Sequence, residues 1–243
     1  MEPVANTALQ VDDRPLIRVG AAMAVGGAVL AFAGNVLHPR STEYYGDPIA
    51  WLNHNTPEGT IWLPSHVLIL LGQIALIGGF VALSRSLAGS RGHGIGNLAL
   101  ANALVGTAMI MVTLAIDGLT VARLGDVWQL TDTPSQEAVL VGSILYHTIF
   151  STFYVFQILL FGLAPIFYGT AMMLSRRYAS WLSWSGVLIG SSVGVTALLS
   201  MFGVATEFLD AVVWTVQGSL WALWFLLVGT VLWRRVSSSA ARA

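Results

Sequence analysis

Met111-Val-Thr-Leu-Ala-Ile-Asp-Gly-Leu-Thr-Val-Ala-Arg123 closes a hydrophobic run in which Asp117 interrupts an otherwise membrane-compatible segment. A carboxylate in such a place must be paired, protonated or at the water boundary, because an ionised group at the centre of a membrane helix is disfavoured by roughly 2.5–3.5 kcal/mol. The rest of the chain is therefore read for what faces Asp117.

Composition sets the environment. Of the 243 residues, 56% are hydrophobic and only 9% are charged, against about 25% charged in an ordinary soluble domain. This is the balance of an integral membrane protein. A formal charge of −1 with no concentrated basic surface argues against nucleic acid as a partner. The absence of cysteine removes disulfides, thiolate metal sites and thiol nucleophiles. All 11 basic residues are arginine, which excludes a Schiff base to lysine.

Six apolar runs, near 17–37, 62–84, 96–122, 139–174, 181–206 and 211–233, are each long enough to cross a hydrocarbon core of about 30 Å. They predict an all-α bundle of six transmembrane helices over 16–235, with a flexible N-terminus at 1–15 and a tail at 236–243. Arg14, Arg18, Arg85, Arg91, Arg176, Arg177, Arg234, Arg235 and Arg242 fall on the side of the termini, while Arg40 and Arg123 fall opposite. Cytoplasmic loops retain arginine, so both termini are expected in the cytoplasm of a plasma-membrane protein. Most acidic residues lie toward the other, outer side. Arg14 and Arg18, an apolar run and Ala31-Phe32-Ala33 together resemble a cleavable signal peptide; we read this segment as a retained first helix.

Spacing then suggests faces. Gly27, Ala31, Gly34 and His38 recur at intervals of 4, 3 and 4, a small-residue stripe of the kind that lets helices approach closely in lipid. His66 and Gln73 share a face of the second helix, and Gly186, Gly190 and Gly194 form a packing stripe on the fifth. Asn102, Gly106, Thr113 and Asp117 define a polar stripe that should point into the bundle. The Gly-rich 89–96 segment reads as a turn, and Gly92-x-Gly94-x-Gly96 follows a membrane helix where a dinucleotide fingerprint needs a strand. The fourth run is too long for one perpendicular span, so it must tilt, protrude or kink at Pro165. His147, Ser151 and Tyr154 share a face of that run, as do Asp210, Trp214, Gln217, Trp221 and Trp224 of the last. The long 38–61 and 118–138 connections could cover the outer mouth.

His38, His66 and His147 come from three helices at one depth as Asp117. Three imidazoles and a carboxylate suit Zn²⁺ or non-haem iron, although no local motif such as H-E-x-x-H is present. Without a metal, Asp117 or Asp210 could act as a general acid with a histidine as base, and the indoles of the last helix could stabilise a cationic intermediate. The plainer readings are interfacial histidines and tryptophans that anchor and pack the bundle.

Leu37-His38-Pro39, His66 to Leu83, and Ile116-Asp117-Gly118-Leu119 to Trp128 resemble segments of a broad group of prokaryotic multi-pass membrane proteins of unknown function. The resemblance covers mainly the first three helices. It implies a compact helical membrane domain whose outer His and Asp-Gly positions correspond to His66, Asp117 and Gly118, and it supplies no activity.

The expectation is an enzyme acting on a lipophilic small molecule, a lipid or isoprenoid, at the outer leaflet. Asp117, His66, His147 and Asp210 would carry the chemistry, and Trp214, Gln217, Trp221, Tyr154 and Gln73 would line the pocket. A metal, if used, would be held by His38, His66, His147 and Asp117. The alternative is a ligand-binding or transport protein built on the same pocket.

Overall fold

The computed structural model describes residues 13–39, 50, 61–121, 135–202 and 213–240. Its helices are α1 (Arg14–Leu37), α2 (Trp62–Ser86), α3 (His93–Leu114), α4 (Gln136–Phe156), α5 (Ala164–Ser175), α6 (Ser180–Met201) and α7 (Gly218–Ala240). Three π-helical segments join this series: Ala115–Thr120 extends α3, Gln157–Leu163 links α4 to α5, and Val213–Gln217 leads into α7. No strand occurs among the described residues. The elements form six segments long and apolar enough to cross a membrane, the architecture of a multi-pass membrane protein.

Packing between α1 and α2 follows from glycine. In lipid, apolar surface gains little by leaving one hydrocarbon for another, so close van der Waals contact must hold helices together. A Cβ on Gly20 would meet the Gly78 carbonyl oxygen at 2.4 Å, one on Gly27 the Gly72 oxygen at 2.8 Å, and one on Gly34 the Ser65 oxygen at 2.7 Å. Gly72 is equally tight against the Ala31 backbone, at 2.6 Å. Contact thus recurs every seventh residue along the pair, which fixes its register from end to end. On α6, Gly190 presses against the Gly162 carbonyl in the same way, at 2.4 Å, and Gly186 leaves room for the Trp224 ring, which a Cβ would meet at 2.5 Å.

The interior is aromatic. Trp221 lies between Phe161 and Phe225, with ring centroids 4.6 and 4.8 Å away, and Phe80 packs edge-on against Phe225 at 5.0 Å. Trp224 is buried too, and its indole donates to the Leu182 carbonyl at 2.8 Å. These indoles therefore fill the core of the bundle.

Two expectations change in detail. The fourth span runs as α4, a π-helical segment and α5, with the π segment immediately before Pro165. Proline lacks an N–H and crowds the preceding turn, and the wider π turn, a common form of helix interruption, stands where a kink was expected. The 89–96 turn is shorter than expected: α3 begins at His93. Gly92, just before it, is wedged so closely on α5 that a Cβ would lie 2.1 Å from the Ala171 oxygen.

The two ends of the bundle are built differently. At one, the start of α1, the end of α7 and the 176–179 turn meet, with Arg18 over the Trp233 ring at 5.1 Å and Arg235 over Tyr178 at 4.1 Å. The other carries His38, His66 and Asp117. We refer to these as the arginine end and the histidine end.

Candidate functional site

The α1–α2 register builds the first half of the site. Gly34 sits on the Ser65 carbonyl, so His38, one turn further along α1, arrives beside the first turn of antiparallel α2. Its ring lies 5.0 Å from that of Trp62 and 4.7 Å from that of His66. Trp62 and His66 are one turn apart on α2, and their rings approach to 4.5 Å.

The π-helical segment of α3 supplies the second half. In an α-helix the Asp117 carbonyl would accept from the N–H of Val121; here that N–H reaches back to Ile116. The Trp62 indole donates to the Asp117 carbonyl at 3.2 Å. Gly118 follows with no side chain, and a Cβ there would fall 2.8 Å from the His66 Cβ and 2.9 Å from its Cγ. Absence of that carbon allows the imidazole to lie against α3 and meet the carboxylate. His66 Nε2 is 3.0 Å from Asp117 Oδ2, with exposures of 3% and 18% for the two side chains.

Hydrogen bonding fixes the tautomers. His66 Nδ1 is 2.8 Å from the Trp62 carbonyl, and His38 Nδ1 is 2.8 Å from the Pro39 carbonyl. A carbonyl only accepts, so each Nδ1 must carry a hydrogen, and in His66 the atom left to bind a cation is Nε2, the one aimed at Asp117. For neutral His66 and ionised Asp117, two lone pairs would face each other across 3.0 Å. A positive centre, either a proton or a metal ion, resolves that repulsion.

One ligand atom each from His38, His66 and Asp117 can be chosen within 4.8 Å of one another. Ligands about 2.0–2.1 Å from a zinc ion stand roughly 3 Å apart, the separation already present between His66 and Asp117. Two histidines and one carboxylate with positions left open is the donor set of catalytic zinc and of non-haem iron. Histidine ligands held by carbonyls through the opposite ring nitrogen are the usual supporting arrangement at such centres.

The remaining expected residues fall into three groups. His147 is exposed, with its ring on Tyr146 at 5.4 Å, and it does not join the cluster. The inward face of α4 is taken by Tyr146, Ile149, Phe153 and Phe156, all buried, which turns His147 and Ser151 outward. Tyr154 packs partly buried against the core. Asn102, expected in an inward stripe, instead donates to its own helix at the Leu98 carbonyl, at 2.9 Å, whereas Gly106 and Thr113 are buried. Thr113 bonds Thr152 of α4 at 2.9 Å.

Gln73 and Trp221 are buried, and Gln73 Oε1, Gln217 Oε1 and Trp221 Nε1 have no hydrogen-bond partner among the described residues. Trp221 closes on aromatic neighbours as described above. Asp210 and the Trp214 side chain lie outside the described residues, as do most of both long connections.

Trp62 and the spatial role of Gly118 were not apparent from sequence. Trp62 precedes His66 by one helical turn at the start of an apolar run, a signal easily read as a membrane anchor. No family model, curated protein or solved structure matches this chain, so the reading of the site rests on its geometry.

Proposed function

We propose that the histidine end is the active site of a membrane enzyme, in which His38, His66 and Asp117 hold a divalent metal ion such as zinc or iron beside a lipophilic substrate. The observation that carries this reading is the paired tautomer constraint: both histidines commit Nδ1 to backbone carbonyls, and His66 directs Nε2 at the Asp117 carboxylate. An ion there would acidify a bound water or polarise a substrate oxygen.

A lipophilic substrate is supported by the surroundings. Leu37, Leu63 and Leu119, close in sequence to the three ligands, are exposed, so apolar surface continues to the edge of the site. The core described above supports entry from this end over a path through the bundle. With the arginine end in the cytoplasm, as the charge distribution suggests, the site would face the outer leaflet of the plasma membrane.

Elemental analysis of the purified full-length protein tests the metal. About one ion per chain is expected, lost in His66→Ala and Asp117→Asn and retained in His147→Ala. Protein that stays metal-free after incubation with zinc or iron(II) sinks the metal reading. The 3.0 Å His66–Asp117 contact favours a second reading in that event, a metal-free pair sharing one proton for acid–base chemistry. Infrared difference spectra of Asp117→Asn across a pH titration would test it: a carboxyl band present in the parent and missing in the variant is expected, and its absence from both rejects the shared proton.

A further inference from the structure

We propose that the cleft between the 87–92 and 176–179 turns, at the arginine end, binds the phosphate of an anionic phospholipid headgroup. The cleft has a volume of about 300 Å³ and is lined by Ser90, Arg91, Leu174, Ser175, Arg176 and Arg177 together with Gly89. Three of these residues are cationic and none is acidic. The surrounding segments, 84–95 and 175–180, also contain no Asp or Glu.

The protein holds one arginine in place and leaves two available. Arg177 donates through Nη1 to the carbonyls of Ser86 and Ala88, at 2.7 and 3.0 Å, which ties the two turns together and orients the planar guanidinium. Arg91 and Arg176 are exposed, and their guanidinium groups make no hydrogen bond or ion pair with described residues. The serines serve the turns: Ser90 Oγ donates to Leu87 O and accepts from the Gly92 N–H, while Ser175 Oγ donates to Met172 O and accepts from the Arg177 N–H. The arginines remain as the ligands.

Arg176 also has a backbone that its residue type does not favour. Its φ of 54° is the one positive value outside glycine among the described residues. Glycine and asparagine adopt this conformation more readily, so an arginine here sits at some conformational disadvantage. Left-handed backbone at Arg176 on one turn and at Gly89 on the other, φ 68°, frames the cleft from both sides.

Depth selects a lipid over a soluble anion. The cleft lies where membrane helices end, with exposed Leu174 on its wall and exposed Trp181 and Trp184 in the following turn of α6. Tryptophan at helix ends marks the headgroup zone, and basic pockets between membrane helices at this level suit lipid phosphates. A phosphate oxygen accepts from guanidinium in the paired geometry that arginine provides.

The test uses the delipidated full-length protein in a neutral detergent, with thermal unfolding followed as phosphatidylglycerol, phosphatidylcholine or inorganic phosphate is added. Phosphatidylglycerol should raise the midpoint saturably, and phosphatidylcholine should not. In Arg91→Gln/Arg176→Gly the concentration needed should rise about 25-fold, about fivefold per charge. Gly at 176 fits the left-handed backbone, and Arg176→Asn provides a second variant compatible with it.

Arg85→Ala/Arg234→Ala removes the same charge from this end outside the cleft and should change the requirement less than about twofold. Equal effects in the two double variants would overturn the site in favour of diffuse attraction. Equal responses to both lipids would overturn selection of a net anionic headgroup, since phosphatidylcholine carries the same phosphodiester with a compensating cation, and an equal saturable response to inorganic phosphate would overturn the lipid.

Discussion

The arginine end and the histidine end belong to the same antiparallel helices, yet their backbones follow opposite rules. At the arginine end, short turns satisfy themselves: Ser86, Ser90 and Ser175 cap nearby carbonyls, Arg177 spans two more, and the Tyr168 hydroxyl donates to the Phe80 carbonyl at 3.0 Å. At the histidine end, α3 widens into a π turn at Asp117, another π segment precedes α7, and Gln217 Oε1 is left without a partner. Irregular helix turns cluster at functional positions because they re-aim side chains and carbonyls that a regular helix would lock. One end holds the bundle together, and the other uses the register it provides.

The sharpest way to break this comparison is to break the register. Gly27→Leu would drive a side chain into the Gly72 carbonyl and the Leu76 nitrogen, which a Cβ alone would meet at 2.8 and 2.9 Å. A backbone cannot yield as a flexible side chain can, so destabilisation of about 3 kcal/mol or more is expected, with dispersal of the His38, His66 and Asp117 cluster as His38 separates from His66. Gly26→Leu is the control, since a Cβ there meets nothing within 4 Å. Unfolding titrations should separate the two variants clearly; equal stability would mean that the glycine stripe does not set the register.

Gly118→Ala should produce the next largest effect, confined to the site. Its Cβ would press on the His66 ring, moving it off Asp117 with a stability change of about 1–3 kcal/mol. Under the proposed function, metal content or activity should fall at least tenfold while the protein remains folded, since small displacements of reacting groups have large kinetic effects. An active Gly118→Ala protein would show that the π turn does not place His66.

These two positions also show what a sequence can and cannot reveal. Helix number and the depth of His38, His66 and Asp117 were legible because bilayer thickness ties run length to depth. Rotation about the helix axis is set by packing, and His147 illustrates the gap: its depth fits the group, but burial of Tyr146, Ile149 and Phe153 turns it outward. Asn102 likewise lies on the expected stripe and bonds its own helix. The π turn at Ala115–Thr120 has no spacing signature in the sequence, so neither the freed Asp117 carbonyl nor its indole donor, Trp62, could be anticipated. Gly118 was visible as a residue, while the imidazole that occupies the place of its missing side chain was not.

The smallest effect should come from the arginine end, where a perturbation ought to change stability and leave the site alone. Burial pushes the Tyr178 hydroxyl above its ordinary value of 10.0, partly offset by its hydrogen bond with Ser86 and by the charges of Arg235 and Arg177. Tyr178→Phe keeps the ring beneath Arg235 but removes the bond to Ser86, an expected loss of about 1 kcal/mol at neutral pH.

The pH dependence has a definite sign. Below pH 10 the hydroxyl is protonated in both folded and unfolded chains and contributes no slope; above it the unfolded chain releases the proton first, so stability falls as pH rises. Parent protein should therefore lose stability more steeply above pH 10 than Tyr178→Phe, narrowing the difference between them, while metal content stays equal. A parallel pair of stability curves would show that the Tyr178 hydroxyl is not held in its buried environment, and a change in metal content would show that the two ends are coupled.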